Sequence, residues 1–292
     1  MNVLDFKKEI GQYIDAAYDD FVNFQGVAID QLKEFDRICR LHNIPYFLAY
    51  GTLLGAVRDG NCIPWDYDID VCIPIIYRER LLEALSSSIG DEYNYSYKTN
   101  ISTYCAPCLR LYHKAYVETA LHIDVYFIIG ASQNIKCAER LKKRIYKCIK
   151  ARLFKYEHLY YWGEETYQSS FRRIISKCLR LRYRLIPSQC LSLMEEKVYH
   201  KYAYESSKYV VLTCNAYDRI YPASIFCATE ELLMNGMMFK VPSGYEDFLK
   251  ITYGNYHQYY PIQSRFDEFY KMYKVIKDRQ SHFEQCKPGV SK

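Results

Sequence analysis

Hydrophobic and polar positions change period several times along the 292-residue chain. Between Gly26 and Asn43, Leu32, Phe35, Ile38 and Cys39 recur at three and four residues, which predicts an amphipathic helix that Asn43 and Pro45 stop. Tyr46 to Tyr50 is apolar and aromatic and reads as a strand. Gly51 and Thr52 form a turn, Leu53 to Arg58 a short helix, and Asp59-Gly60-Asn61 another turn. From Trp65 onward acids and apolar residues alternate, Asp66, Asp68 and Asp70 against Tyr67, Ile69 and Val71. That is the period of a strand with one face acidic and one buried. Tyr77 to Ser88 returns to helical spacing. Ser102 to Tyr112, Ala115 to Glu118 and Leu121 to Ile129 predict a meander. Ile135 to Lys155 and Pro187 to Tyr202 predict helices, Val210 to Cys214 a short strand, and Gly244 to Tyr253 a helix closed by Gly254. Met1 to Phe24 also looks helical.

The acidic alternation carries the chemistry. Residues two apart on a strand point the same way, about 7 Å apart, so Asp68 and Asp70 share a face. Two carboxylates there repel unless a cation lies between them. A hard divalent ion fits, because magnesium sites that handle phosphates use one or two carboxylates plus substrate oxygens. An EF-hand loop counted from Asp66 would need Gly at its sixth position and Glu at its twelfth. Val71 and Tyr77 stand there, which excludes it. The Gly51-Thr52 turn ahead of a helix can bring backbone amides to a phosphate, and Arg58 offers a planar fork to phosphate oxygens or an acid. Asp66 is open to three roles: third ligand, general base for an acceptor hydroxyl, or cap. In His122-Ile123-Asp124-Val125-Tyr126 a single acid again sits inside an apolar strand, where it needs a partner. Arg110, on a preceding strand, is a further candidate for phosphate contact. His42 is placed to face the end of the first helix dipole.

Composition narrows the classes. Half of the residues are hydrophobic, enough for a sizeable core, and 32 are tyrosines. The net charge of +5 is only mildly basic. It is concentrated: Ile135 to Lys155 holds nine Lys or Arg against Glu139 alone, and a second basic cluster runs from Arg172 to Arg184. These read as solvated helix faces or as a cationic surface for a lipid-linked glycan, a membrane or a polyanionic polysaccharide. No nucleic-acid recognition module appears. No run is long and apolar enough to cross a membrane, and the N-terminus is unlike a signal peptide. The twelve cysteines are scattered. Cys105-Ala-Pro-Cys108 lacks the second pair that zinc would want, so thiols in a reducing cytosol are expected.

The ungapped string GTLLGAVRDGNCIPWDYDIDVCIP, Gly51 to Pro74, resembles the signature of the LicD family, whose relatives include fukutin and fukutin-related protein. The segment Val241-Pro242, Tyr245, Phe248-Leu249, Tyr253-Gly254 and Tyr256 resembles the family's usual close. Two positions depart from the pattern: Thr52 stands for the small residue after the first glycine, and Tyr67 interrupts the usual run of acids. The resemblance implies an α+β, nucleotidyltransferase-like mixed sheet flanked by helices. It implies one catalytic domain over 1–292, with a core of about 26–130 plus 205–275 and a basic helical insertion of about 132–202.

The resemblance also implies transfer of a phospho-alcohol unit, phosphocholine or ribitol or glycerol phosphate, from a CDP-activated donor to a sugar hydroxyl of a cell-surface glycan. By the same analogy Asp68, Asp70 and Asp124 hold Mg2+ or Mn2+ on the donor pyrophosphate, and Gly51 and Thr52 offer it amides or a hydroxyl. Arg58 and Arg110 meet phosphate, and Asp66 takes the acceptor proton. CDP-choline or CDP-ribitol and a glycan acceptor, lipid-linked in one version, are the expected partners. The expected place is cytoplasmic, at the inner face of the membrane if the basic helices touch it. Two other readings stand beside this one. A D-x-D glycosyltransferase would use a nucleotide sugar, though only one strand precedes the acids here. A non-catalytic scaffold would bind polysaccharide through its basic helices.

Overall fold

A computed structural model describes residues 15–101, 104–116, 121–156, 180–214 and 219–286. Their secondary structure is α+β, and they fall into two units. The first takes in described residues of 1–95, 110–125 and 225–292, and the second those of 96–109 and 126–224.

In the first unit, helix α1 (Asp15–Leu41) buries Phe21, Phe24, Ala28, Leu32, Phe35 and Cys39 along one stripe. It starts well before Gly26, because the three-and-four spacing of its buried positions reaches back to Phe21. His42 meets the Ser88 hydroxyl at 2.7 Å through Nε2 and so has a side-chain partner of its own. Strand β1 is only Phe47–Leu48, antiparallel to β2 (Ile69–Pro74), with Phe47 opposite Cys72 and Leu48 opposite Val71. The expected strand to Tyr50 is cut short because Tyr50 already stands at φ 44. A bulky residue there makes the sharp turn itself. Helix α2 (Tyr50–Asp59) therefore begins at Tyr50 and takes Gly51 and Thr52 into its first turn. Gly60, at φ 65, closes it.

After a 3-10 turn at Ile75–Tyr77 comes helix α3 (Arg78–Ser88). Strands β3 (Tyr93–Ser96), β4 (Leu109–His113) and β5 (Ile123–Ser132) complete the strand order β1-β2-β5-β4-β3. In place of the expected strand from Ala115, Lys114–Tyr116 is a 3-10 turn, and 117–118 lie outside the described residues.

The strands β8 and β9 of this unit form a hairpin, Thr229–Met234 with Met237–Pro242, that periodicity did not predict. Its Asn235-Gly236 turn has φ 49 and 78, the left-handed pair that a tight hairpin needs. The turn docks on the loop after α2: the Asn235 N–H donates to the Gly60 carbonyl at 3.1 Å, and Asn235 Oδ1 accepts the Cys62 N–H at 2.8 Å. Two further helices end the unit, Tyr245–Tyr253 and Ile262–Cys286. Phe248 of the former packs on Tyr50 and Phe226, with ring centroids 5.7 and 6.0 Å apart.

In the second unit, the remainder of β5 pairs antiparallel with β6 (Tyr209–Leu212), which pairs with β7 (Tyr221–Pro222). The side chain of Thr213 accepts the Phe127 N–H at 2.9 Å, and its own N–H donates to the Phe127 carbonyl at 3.0 Å. Helix α4 (Ile135–Tyr156) starts on Asn134, whose Oδ1 accepts the Lys136 N–H at 2.9 Å. It packs against α5 (Ser188–Tyr199). Between them the buried Arg152 donates to Glu195 through Nε at 2.7 Å and Nη2 at 3.0 Å, and Lys98 reaches the same carboxylate at 3.1 Å. Most of the second basic cluster, 172–179, lies outside the described residues. Cys105 and Cys108 are buried.

Candidate active site

The sequence at the start of β2 behaves as its alternation predicts. Tyr67, Ile69 and Val71 are buried, Asp68 is exposed, and Asp66 and Asp70 are half-buried. The apolar side chains fix the strand against the core, so the acids are left on the opposite, open side.

Thr52 joins this strand to helix α2. Its hydroxyl oxygen accepts the Asp70 N–H at 2.9 Å and donates to the Asp68 carbonyl at 3.3 Å. Thr52 is 3% exposed. The hydroxyl expected to meet donor phosphate thus serves the backbone on either side of Ile69. It holds the peptide run that carries both carboxylates to the first turn of α2.

Gly51 makes room for Asp66. A Cβ at position 51 would lie 2.8 Å from Asp66 Oδ2. The other oxygen, Oδ1, accepts the Asp68 N–H at 3.1 Å, a local turn bond that caps the entry to β2. Burial pushes the Asp66 carboxyl up to about 6 against the lowering effect of that N–H, and Glu268 nearby adds to the rise. Gln25 steadies the same loop from α1, donating through Nε2 to the carbonyls of Ile63 at 2.9 Å and Asp66 at 2.5 Å.

Asp124 stands at the start of β5. Its Oδ1 receives Arg110 Nε at 2.9 Å and lies 3.3 Å from His122 Nε2. Burial alone would raise its carboxyl. Arg110 and then His122 outweigh it and hold the group well below the usual carboxylate range. Arg110, expected at phosphate, is here a partner of Asp124. His122 belongs to the same cluster, and its only signal in the sequence was a position two residues ahead of Asp124 on the strand.

Arg58 is placed differently from the acids. Its guanidinium pairs with Asp59 at 3.0 Å, lies 4.1 Å from the Tyr259 ring centroid and 5.8 Å from that of Trp65, and its side chain is 8% exposed. Tyr259 also hydrogen-bonds Asp59 through its hydroxyl. Arg265 lies over the same two rings, 5.3 Å from Trp65 and 5.7 Å from Tyr259. Sequence reasoning did not reach Tyr259, because its contact with Asp59 spans 200 positions.

The structure thus brings Thr52 to Asp68 and Asp70, Gly51 to Asp66, and Arg110 to Asp124. Among the described residues no three His, Cys, Asp or Glu side chains are grouped to hold a metal ion. The carboxylate pair of Asp68, just ahead of β2, and Asp70, on it, still has the donor chemistry that magnesium asks of a protein, since phosphate oxygens and water supply its remaining ligands. No helix among the described residues is long and apolar enough to cross a membrane.

Residues 43–159 match a family model described as LicD/FKTN/FKRP, nucleotidyltransferase domain. Over 253 residues, 82% of this chain and 92% of the relative, the chain is 25% identical to the lipopolysaccharide cholinephosphotransferase LicD of Haemophilus influenzae. It is 44% identical over 52 residues to the ribitol 5-phosphate transferase FKRP of Homo sapiens, a match covering 17% of this chain and 10% of that one. A third match, 26% identical over 76 residues, is to mannosyltransferase regulator 4 of Saccharomyces cerevisiae and covers 26% of this chain and 6% of that one.

Proposed function

The chain carries a LicD/FKTN/FKRP-family domain, and on that basis we propose that it transfers a phospho-alcohol unit from a CDP-activated donor to a sugar hydroxyl of a cell-surface glycan. The relatives named for cholinephosphate and ribitol 5-phosphate transfer support the reaction class. The observation that carries the reading is the open acidic face of β2, with Asp68 and Asp70 latched to α2 through the Thr52 hydroxyl. We take the core to be nucleotidyltransferase-like, with one catalytic domain built around that strand.

In this proposal Asp68 and Asp70 hold Mg2+ or Mn2+, with Asp124 as the third carboxylate. A bound divalent ion would neutralise the charge that builds on the CMP leaving group. The chain's own residues do the positioning. Thr52 fixes the peptide run between the two acids. The bulk excluded at Gly51 leaves space for the Asp66 carboxylate, which sits two residues ahead of Asp68 and takes the proton of the acceptor hydroxyl. Arg110 and His122 keep Asp124 ionised and oriented. Arg58, packed between Asp59 and two rings, shapes the wall beside Asp66 through Trp65.

The test is CMP release from CDP-choline, CDP-ribitol and CDP-glycerol, with and without magnesium, by the wild type and by Asp68→Asn/Asp70→Asn. Magnesium-dependent release from one donor, lost in the double variant, is the expected outcome. Hydrolysis of UDP-sugars with no CMP release would move the reading to a nucleotide-sugar enzyme.

A further inference from the structure

Helix α4 separates its residues by face with little mixing. Ala138, Leu141, Ile145, Cys148, Ile149 and Arg152 are buried within the second unit. Lys136, Arg140, Lys143, Lys147 and Lys150 are exposed on the other side. Their spacing of four, three, four and three residues keeps them within about 80° of arc over about 21 Å of helix. With Arg144, six exposed cations stand against the single exposed acid of the helix, Glu139. That surplus of five equals the formal charge of the whole chain, so the remainder of the molecule is close to neutral.

Burial and pairing treat the two faces differently. Arg152, on the inner face, is neutralised by Glu195 at 2.7 Å. The stripe cations Lys136, Arg140, Lys143 and Lys147 have no carboxylate partner among the described residues. Concentrated positive charge without internal partners favours an anionic surface over an isolated acidic group.

A second feature lies at the C-terminal end of the same helix. Tyr183 stacks on Phe154 with ring centroids 6.2 Å apart, and Lys155 donates to the carbonyls of Arg184 at 2.9 Å and Ile186 at 2.6 Å. The segment held there exposes Leu181 and Leu185, four residues apart, at 63% and 78%. Arg182 and Arg184 beside them are exposed as well.

We propose that this face of the second unit docks on an anionic lipid bilayer, with the α4 stripe against the headgroups and Leu181 and Leu185 entering the interface. Cationic residues draw a surface to anionic lipid, and an apolar contribution is the second signal that makes such binding persist. A polyanionic polysaccharide would satisfy the stripe but gains nothing from two exposed leucines, so the bilayer fits more of the surface.

The test is co-sedimentation of the full chain with vesicles of phosphatidylcholine alone and with one third phosphatidylglycerol, at low salt and at ~0.15 M salt. Sedimentation with the anionic vesicles only, weaker at the higher salt, is expected. Lys143→Glu/Lys147→Glu lowers the partition coefficient by at least about tenfold, given the contribution of each cation near an anionic surface. Leu181→Ser/Leu185→Ser weakens binding while keeping the preference for anionic lipid. Far-UV circular dichroism checks the fold, and Lys143→Gln/Lys147→Gln replaces the charge reversal if that variant does not fold. No sedimentation, equal sedimentation with both vesicles, or unchanged binding by the charge variant overturns the proposal. So does retention on a sulfated polysaccharide without vesicle binding, which would assign the surface to a glycan.

Discussion

The Thr52 side chain and the Asp70 backbone are joined by a 2.9 Å hydrogen bond, in which the Asp70 N–H donates to the threonine hydroxyl. The same hydroxyl reaches the Asp68 carbonyl. Thr52→Val keeps the shape and removes both bonds, leaving a part-buried N–H without its partner. It should lower stability by about 1–3 kcal/mol and, by letting the two carboxylates drift, lower kcat for CMP release about a hundredfold. Thr52→Ser keeps the hydroxyl and should retain most of the activity. Equal loss in both variants would remove the latch from the account.

Two glycines of α2 separate site from scaffold. At Gly55 an added Cβ would lie 2.5 Å from the Asn61 carbonyl oxygen and 3.0 Å from the Ile63 nitrogen, both backbone. Gly55→Ala should therefore destabilise by about 2–3 kcal/mol, the range of overpacking that the backbone must absorb. At Gly51 the clash is with the Asp66 carboxylate, which can rotate away. Gly51→Ala should unfold at nearly the wild-type urea concentration and still lose turnover. Comparing unfolding midpoints with CMP release for the two variants checks the contrast.

Glu195 serves two buried cations, Arg152 at 2.7 Å and Lys98 at 3.1 Å. Removing one cation leaves the carboxylate paired with the other. Glu195→Gln instead leaves Arg152 without a carboxylate in the interior, while Lys98 keeps Glu196 at 2.9 Å, and should cost about 3–5 kcal/mol. Arg152→Met should cost less. Urea unfolding followed by circular dichroism orders the two, and the reverse order would refute this account of the cluster.

A pH effect is expected from Glu34. Burial alone would raise its carboxyl, but Arg37 at 2.7 Å and the Gly90 N–H at 2.8 Å hold it below its ordinary 4.5. Its contribution is therefore complete above that value and is lost as the pH falls through the lower, folded value. The stability gap between wild type and Glu34→Gln should be constant from neutral pH down to about 5 and narrow below it. A gap that instead widens on acidification would contradict the pairing.

What the sequence disclosed, and what it hid, follows from how far each interaction reaches. The strand that follows Asp68 and bears Asp70 was legible because alternation is local and its apolar half had to be buried. Helix α4 was legible for the same reason at helical period. The start of α2 was not, since nothing local marks Tyr50 as the residue that takes φ 44. Thr52 suggests a phosphate contact because it follows Gly51 in a turn, whereas the partners of its hydroxyl are peptide groups sixteen and eighteen residues on. Tyr259 and Gln25 meet the site only through the tertiary fold. The β8–β9 hairpin hid behind exposed polar residues such as Glu230 and Glu231, although Asn235-Gly236 was a usable signal.

The contact of Asn235 with Gly60 and Cys62 also constrains the order of assembly. It joins positions 173 residues apart. During synthesis, the loop that leads from α2 to the acidic strand emerges early, yet the hairpin that clamps it belongs to the last quarter of the chain. Closing so long a loop is slow, and a nascent chain stopped short of Asn235 holds the Gly60 carbonyl and the Cys62 N–H without these partners. The loop that leads into the acidic segment is thereby clamped only once the chain has been made through Asn235.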